Sequence, residues 1–195
     1  MRRFGFDLDN TIIDYSDSVV EFCKLSNIES KSNLPSLRQM LKKSDLDQES
    51  WIEAQSWIYS KGLEYAKVSD GLVALCKTLE VLGFELAIFS HKTKFGPTRF
   101  GSQPFIDYAA KWIVGSELNK FFTIGKNVNF SESIDAKVKS INAFGPDYYI
   151  DDLLRVFRHP IYNMRIKSFL YKSDSKGEDW LIKIDHFSEV GDHIS

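Results

Sequence analysis

The chain opens on a pattern in which apolar residues occupy every second position. Phe4, Phe6 and Leu8 are separated by single residues, and positions 7–11 read Asp-Leu-Asp-Asn-Thr. Alternation at period two is typical of a β-strand. The sequence therefore predicts a strand that ends in two carboxylates one residue apart.

A helical pattern replaces the alternation from residue 14 to about residue 66. Apolar residues recur there at helical spacing, and Pro35 suits the first turn of a helix. The predicted helices cover residues 15–27, a short stretch after Pro35, and residues 47–65. We interpret them as a helical insertion after the first strand, and three ordinary helices of an α/β domain are the alternative.

Strand and helix patterns alternate over the remainder of the chain. Ser69 and Asp70 are suited to cap a helix that runs to Leu82, with Gly83 as its stop. Strands are predicted at residues 84–89, 121–124, 148–150 and 164–170, and helices at 105–113, at 131–144 and from 153. Such alternation is typical of an α/β domain with a parallel sheet.

Length and composition fit one compact domain with a small insertion. Of the 195 residues, 43% are hydrophobic and 14% are aromatic, which is ample for a packed core. The formal charge of −2 provides no field that would attract nucleic acid. Cys23 and Cys76 lie in apolar contexts typical of reduced core residues. No secretory leader or membrane-spanning run is recognisable, so we expect a cytoplasmic protein without nucleic-acid or membrane partners.

Polar side chains that suit metal and phosphate chemistry follow several of the predicted strands. They are Asp7 and Asp9 after the first strand, Ser90 after the second, and Asp151-Asp152 after the strand at 148–150. In open α/β sheets, ligands bind at the carboxyl ends of the strands. Two carboxylates held this close repel each other unless a cation or a shared proton relieves them. The pattern therefore suggests a metal site that contains a nucleophile.

The order of these residues resembles the haloacid dehalogenase (HAD) superfamily, most of whose members are Mg²⁺-dependent phosphatases. The resemblance runs from the first strand to about Asp152, with an acidic pair, a strand-end hydroxyl, a lysine and a second acidic pair in family order. It implies a Rossmann-like doubly wound parallel sheet formed by residues 1–13 and 67–195. Residues 14–66 would form a small α-helical cap of the C1 type, inserted after the first strand. A response-regulator receiver uses similar residue types, but it is shorter and has no such insertion.

The resemblance implies a nucleophile and a metal site. Asp7 would attack phosphorus and form an aspartyl-phosphate. Mg²⁺ would be held by Asp7, by the backbone carbonyl of Asp9 and by Asp151. Because neighbouring residues on a strand face opposite sides, Asp152 would orient a water ligand or a nearby side chain.

The resemblance also implies the groups that handle protons and phosphoryl charge. Asp9 would act first as general acid and then as general base, and Thr11 would hold the turn around Asp9. An acid at the position of Asp9 separates the phosphatases of this superfamily from its dehalogenases. Ser90 and Lys137 would stabilise charge on the phosphoryl oxygens.

Three lysines are candidates for the lysine of the family's third motif: Lys126, Lys137 and Lys139. The spacing of Lys137 ahead of Asp151 resembles the family's third motif. Lys126 follows the predicted strand at 121–124, where a short loop could also project an ammonium inward. We favour Lys137, because Lys139 lies two positions further on and points to a different face of the helix.

A long basic loop follows Ser90. Residues 91–104 include His91, Lys92 and Arg99, and loops of this length are often functional. At the ends of the strands these cations would bind an anionic substrate. A solvated basic loop is the alternative.

Taken together, these features predict an Mg²⁺-dependent phosphatase that acts on a small phosphorylated metabolite. A helical cap would admit small soluble phosphates, and the basic loop resembles that of relatives near surface-polysaccharide and sugar pathways, which favours a sugar phosphate. The alternatives are phosphotransfer, phosphonate cleavage and a non-catalytic protein of the same fold that binds a partner or ligand. Phosphonate cleavage would need a buried Schiff-base lysine in the cap, where the lysines lie in polar contexts. The sequence does not indicate an oligomeric state.

Overall fold

A six-stranded parallel sheet with helices on both faces forms the centre of the molecule. The computed structural model describes residues 1–31, 33–43, 48–93, 95–96, 103–173 and 177–194. The predicted α/β class with a parallel sheet is confirmed.

The described residues form short strands and helices. The strands are β1 (Arg2–Phe6), β2 (Ile13–Asp14), β3 (Lys67–Val68), β4 (Phe84–His91), β5 (Phe95–Gly96), β6 (Gln103–Pro104), β7 (Val128–Ser131), β8 (Tyr148–Asp151), β9 (Lys167–Tyr171) and β10 (Ile182–Ile184). The α-helices are α1 (Ser16–Leu25), α2 (Leu34–Lys43), α3 (Gln48–Ile58), α4 (Leu72–Val81), α5 (Phe105–Gly115), α6 (Ile134–Phe144) and α7 (Leu154–Phe157). Three 3₁₀-helices cover Lys61–Glu64, Glu117–Lys120 and Phe187–His193. None of the helices in these described ranges is both long and apolar enough to cross a lipid bilayer.

β1 lies in the middle of the sheet, whose strand order is β10-β9-β8-β1-β4-β7. The chain moves outward from β1 through β4 to β7, and then returns to β8 on the other side of β1. The strand order therefore reverses next to β1. In open α/β sheets, ligands bind outside the carboxyl ends of the strands at such a reversal.

Alternate residues of the sheet contribute to two separate apolar cores. Phe4 and Phe6 pack in one core with α4 and α5, whereas Phe89 and Tyr149 pack in the other with α6 and α7. Gly5 faces the second core, where a Cβ at its position would lie 2.8 Å from the Tyr149 ring. The period-two alternation that predicts β1 therefore reflects packing on both faces of the strand.

Residues 14–66 leave and rejoin the sheet through a short antiparallel pair of strands. β2 pairs with β3, so that Ile13 lies opposite Val68. Between these strands, α1, α2 and α3 pack on one another, and their buried side chains belong to the same apolar core as β1. The role of this helical segment as a C1-type cap stays a prediction.

The strand predicted at residues 121–124 is wrong. These residues form a turn in which the Asn127 side chain accepts a hydrogen bond from the Thr123 N–H at 2.7 Å. Phe122 is buried, and its ring packs edge-on against Phe6 at a centroid distance of 6.0 Å. The run is apolar because a turn, like a strand, can contribute a buried side chain to the core. The edge strand beside β4 is β7.

Several helix boundaries differ from the predicted ones. α6 begins after Ser133, whose hydroxyl accepts a hydrogen bond from the Ala136 N–H at 3.1 Å. α4 follows Gly71, which has a left-handed φ of 80°, and neither Ser69 nor Asp70 caps it. The third predicted helix is divided into α3 and the 3₁₀-helix that follows it. Residues 182–184 additionally form β10, which the sequence analysis did not assign as a strand.

Candidate active site

The carboxyl ends of β1 and β8 place the two acidic pairs side by side. Their parallel register aligns Phe6 with Ile150, and the Asp7 N–H donates to the carbonyl oxygen of Ile150 at 2.9 Å. Carboxylate oxygens of Asp7, Asp151 and Asp152 consequently lie within 4.8 Å of one another.

Lys137 of α6 extends its side chain into this acidic cluster. Its Nζ donates to Asp7 Oδ1 and, at 2.7 Å, to Asp151 Oδ2, and the side chain is fully buried. Lys126 is exposed, and Lys139 pairs on the surface with Asp135 at 2.7 Å. Of the three lysines considered from the sequence, the structure brings Lys137 to Asp7.

Thr11 contacts Asp7 instead of supporting Asp9 as the sequence analysis expected. Its hydroxyl donates to Asp7 Oδ2 at 3.1 Å. The turn after β1 is closed by the backbone, where the N–H groups of Ile12 and Ile13 both donate to the Leu8 carbonyl oxygen. Both oxygens of Asp7 therefore accept a hydrogen bond, one from an ammonium and one from a hydroxyl.

Asp151 and Asp152 have different surroundings. The Tyr149 hydroxyl donates to Asp151 Oδ2 at 2.8 Å, and the Leu153 N–H donates to Asp151 Oδ1 at 2.9 Å. Asp152 Oδ1 is buried and accepts no hydrogen bond from any residue that the structure describes. Asp152 also lines the cavity described below, whereas Asp151 does not. The two oxygens of Asp151 are therefore engaged by hydrogen bonds, whereas an oxygen of Asp152 has no hydrogen-bond partner among the described residues, and the direct metal role given to Asp151 from the sequence stays a prediction.

The acidic cluster carries more negative charge than its lysine can balance. Burial, together with repulsion from Asp151, raises the pKa of Asp7 to about 7 despite the opposing effect of Lys137. Burial and the charges of Asp7 and Asp151 raise the pKa of Asp152 well above its ordinary range. Burial would lower the pKa of Lys137, but Asp151 and Asp7 raise it above its usual value. A bound cation would relieve this repulsion, and an all-oxygen donor set suits Mg²⁺.

A second buried lysine holds Asp9. Lys92 Nζ donates to Asp9 Oδ1 at 2.8 Å, and Lys92 is only 3% exposed. The Ser90 hydroxyl lies 3.5 Å from Asp9 Oδ2. The sequence predicts Lys92 as part of a basic substrate-binding loop. In the structure Lys92 directly follows β4, and its ammonium pairs with Asp9.

Two tyrosines of the helical segment, which the sequence analysis missed, complete the surroundings of Asp9. The Tyr15 hydroxyl donates to Asp9 Oδ1 at 2.5 Å, and burial beside Asp9 raises the pKa of Tyr15, so that the hydroxyl stays protonated. Lys92 Nζ lies 4.4 Å from the centre of the Tyr59 ring. No local pattern marks these tyrosines, because their position depends on how residues 14–66 fold back onto the sheet.

A cavity of about 830 Å³ lies between the ends of the strands and the helical segment. The helical segment lines it with Leu34, Pro35, Ser36, Arg38, Gln39, Trp51, Gln55 and Tyr59. The sheet side lines it with Asp7, Asp9, Asn10, His91, Lys92, Thr93, Phe105, Lys137, Asp152, Leu153 and Arg155. The cavity therefore joins the acidic cluster to a wall of aromatic, amide and apolar groups that also includes the cationic Arg38.

The other predicted substrate-binding residues have separate outcomes. His91 lines the cavity, and burial lowers the pKa of its imidazole. Arg99 lies outside the described residues. Arg155, which the sequence analysis did not select, adds a cation to the same cavity.

Comparisons with known proteins give likeness in structure only. No known protein family and no curated protein matches the amino-acid sequence. A predicted phosphatase from Clostridium acetobutylicum is similar in structure, with a TM-score of 0.62, 17% sequence identity, and coverage of 98% of this chain and 97% of that chain. A haloacid dehalogenase-like hydrolase from Streptococcus pneumoniae has a TM-score of 0.63 and 15% identity, with 100% and 99% covered. Protein Tyrosine Kinase A from Mycobacterium tuberculosis has a TM-score of 0.64 and 14% identity, with 98% and 97% covered. The chain therefore shares its fold with these proteins over nearly its whole length.

Proposed function

We propose that this protein is an Mg²⁺-dependent phosphatase that hydrolyses a small phosphorylated metabolite through an aspartyl-phosphate on Asp7. The observation that carries the proposal is the Asp7 carboxylate at the floor of the cavity, held by Lys137 and Thr11 beside Asp152. The structural likeness to HAD-type hydrolases and phosphatases supports the same reaction class.

Asp7 is the nucleophile of the proposed reaction. Hydrogen bonds to both of its oxygens fix the orientation of the carboxylate, which lowers the entropic cost of attack. An Asp7 oxygen forms a bond to phosphorus as the bond to the leaving oxygen breaks. Lys137 stays protonated and balances part of the charge on the cluster and on the phosphoryl group.

The donor set of the site fits Mg²⁺. The residues that would hold it are Asp7, Asp152 and the backbone carbonyl of Asp9, with Asp151 beside them. A bound Mg²⁺ would supply positive charge that screens the repulsion between an anionic nucleophile and an anionic phosphate. Asp151 is engaged by Tyr149 and Lys137 and keeps the lysine in place.

Asp9 handles the protons of the proposed reaction. It enters the first step protonated, with a proton taken from solvent or from a substrate monoanion, and gives this proton to the leaving oxygen. In the second step it takes a proton from the water that attacks the phosphorus of the aspartyl-phosphate, which releases inorganic phosphate and restores Asp7. Ser90 lies beside Asp9, where its hydroxyl can donate to a phosphoryl oxygen.

The helical segment supports a small polar substrate, with a sugar phosphate as the first candidate. Its contribution to the cavity combines the aromatic rings of Trp51 and Tyr59 with the amides of Gln39 and Gln55. Aromatic faces and amide groups are suited to a hydroxylated molecule, and a cavity of about 830 Å³ is within the range for small ligands. We extend the proposal to residues 14–66 acting as the cap that selects this substrate.

The experiment is an assay of phosphate release from a panel of phosphorylated metabolites with Mg²⁺. Activity is expected to disappear when a chelator removes the metal and when Asp7 is replaced in Asp7→Asn. Activity that survives either change contradicts the mechanism, and a protein inactive on the whole panel would support a non-catalytic binding role.

The same assay separates the other reactions. Phosphotransfer would move the phosphoryl group to an added acceptor without releasing inorganic phosphate. Phosphonate cleavage would give an imine that borohydride reduces onto a lysine. The helical segment contributes no lysine to the described lining of the cavity, so hydrolysis is the favoured reaction.

A further inference from the structure

Lys92 is a buried cation to which the proposed mechanism assigns no role. Its backbone N–H donates to the Ser131 carbonyl oxygen at 3.0 Å, which fixes the end of β4 against β7. Its ammonium pairs with Asp9 at 2.8 Å, and Asp9 is its ion-pair partner among the residues that the structure describes. Burying an ammonium costs free energy unless the charge is paired. The pair with Asp9 offsets that cost, but it does not explain why a lysine lies in the cavity.

The two lysines in the described lining of the cavity, Lys92 and Lys137, lie on different sides of the site. Lys137 contacts Asp7 and Asp151, on the side from which the nucleophile attacks. Lys92 contacts Asp9 and lies over the Tyr59 ring, on the side of the helical segment.

The leaving oxygen has to lie on the Lys92 side of the phosphorus. Attack and departure are roughly in line in phosphoryl transfer, so the leaving group points away from Asp7 and into the cavity. It also has to be within reach of Asp9, which gives it a proton. An ammonium at hydrogen-bond distance from Asp9 and facing the same cavity is therefore next to the leaving oxygen.

We propose that Lys92 is a catalytic residue that contacts the leaving oxygen and stabilises the negative charge that develops there as the P–O bond breaks. The electron pair of that bond stays on the oxygen, Asp9 supplies the proton, and Lys92 keeps its own protons throughout. This inference rests on the proposed phosphatase function. It names the substrate class as phosphate monoesters of aliphatic alcohols, whose alkoxide leaving groups need such charge stabilisation most.

The test measures how the rate depends on the leaving group. Wild type, Lys92→Met and Lys92→Arg are assayed on substituted phenyl phosphates of graded leaving ability and on an alkyl phosphate. Loss of an electrostatic donor at developing charge typically lowers kcat by about 10²–10³-fold, and we expect Lys92→Met to lose this much on the alkyl phosphate. On 2,4-dinitrophenyl phosphate, whose leaving group needs little stabilisation, the loss should stay below about 10-fold.

Retained activity on the dinitrophenyl ester also shows that Lys92→Met is folded. Lys92→Arg keeps the charge and should recover part of the alkyl phosphatase rate. The matched control is Lys126→Met, which removes an exposed lysine outside the cavity and should leave every rate unchanged.

A double variant separates direct contact from an effect that passes through Asp9. Lys92→Met is combined with Asp9→Asn, and the leaving-group dependence of the pair is compared with that of Asp9→Asn alone. Direct contact predicts a further steepening in the double variant. Identical dependence would show that Lys92 only positions Asp9 and would overturn the inference, as would an equal loss on all esters. A wild type that is inactive on every ester would instead overturn the proposed function, and the inference with it.

Discussion

Two buried lysines stand in one small site and hold different carboxylates. Lys137 is paired with Asp7 and Asp151, and Lys92 is paired with Asp9. A surface ion pair contributes little to function or stability, whereas a buried cation changes what its neighbours can do. The effect of each lysine on the site therefore depends on which carboxylate it pairs with, more than on the net charge of the region.

Replacement of Lys137 tests its role in the site. Lys137→Met should lower kcat by about 10²–10³-fold, because it removes the ammonium that orients Asp7 and balances charge on the phosphoryl group. The measurement is the rate of phosphate release at saturating Mg²⁺, with circular dichroism as a check of folding.

A control is available on the same helix as Lys137. Lys139→Met removes an exposed lysine that pairs with Asp135 on the surface and should keep the rate of the unmodified protein. A similar loss in both variants would mean that the effect comes from α6 in general and not from the buried ammonium.

The two adjacent carboxylates of β8 should respond differently to neutralisation. Asp152→Asn is expected to weaken the activation of the enzyme by Mg²⁺ by at least about 10-fold. Mutation of residues that only support the metal's direct ligands already lowers metal affinity or activity by about that factor. Asp151→Asn should chiefly lower the melting temperature, because Asp151 accepts hydrogen bonds from Lys137, Tyr149 and the backbone.

The measurements are an Mg²⁺ titration of the activity and a thermal melt of each variant. If Asp151→Asn weakened Mg²⁺ activation more than Asp152→Asn, the direct ligand would be Asp151, as the sequence analysis first assigned it.

At the scale of elements, the contact between β1 and β8 connects packing to the site. Gly5 allows the Tyr149 ring to pass close to β1, and the Tyr149 hydroxyl donates to Asp151. A side chain at position 5 would displace this ring. The packing of β1, which precedes Asp7, therefore affects the hydrogen bond from Tyr149 to Asp151 through the close contact at Gly5.

Gly5→Ala tests this coupling. The added methyl would lie 2.8 Å from the Tyr149 ring, and overpacking of this kind destabilises a core by about 1–3 kcal/mol. Urea denaturation should show that loss, and phosphatase activity should fall with it.

Gly115→Ala is the matched control for Gly5→Ala, because a Cβ at position 115 meets no atom of the described residues within 4 Å. A stability of Gly5→Ala equal to that of Gly115→Ala would show that the ring has room to move.

How far the sequence predicts the elements and the site depends on whether the signal is local. Asp7 directly follows β1, and Ser90 and Asp151 lie at the carboxyl ends of β4 and β8, so parallel pairing of these strands brings the three residues together. The surroundings of Asp9 depend on contacts between distant segments, so no local pattern indicated Tyr59 or the burial of Lys92. Local reasoning also failed at residues 121–124, where an apolar run supplies the core from a turn.

At the scale of the whole molecule, the acidic cluster connects stability to pH and metal. The pKa of Asp7 is raised from 3.8 to about 7, so the metal-free folded state binds a proton that the unfolded state has released. This contribution to stability is fully present below the unfolded pKa and is lost as the pH rises through about 7. Raising the pH therefore destabilises the metal-free protein, and it also removes the proton that competes with Mg²⁺.

Mg²⁺ should therefore raise the melting temperature more at about pH 8 than at about pH 6. The measurement is a thermal melt with and without Mg²⁺ at both pH values, with Ca²⁺ and a matched ionic strength as controls. In Asp7→Asn the dependence on pH should be reduced, and the part that comes from the raised pKa of Asp152 should remain. An equal increase at both pH values would contradict the raised pKa of Asp7 as the cause.

The helical segment and the sheet share one continuous apolar core, and Tyr59 packs edge-on against Phe105 of α5 at a centroid distance of 5.9 Å. Swinging the segment wide would return large buried side chains to water, each at a cost of about 1.5–3 kcal/mol. Small sliding movements of the segment along the sheet would expose little of this core and so cost much less free energy. If such movements limit turnover, raising the solvent viscosity would slow the catalytic cycle.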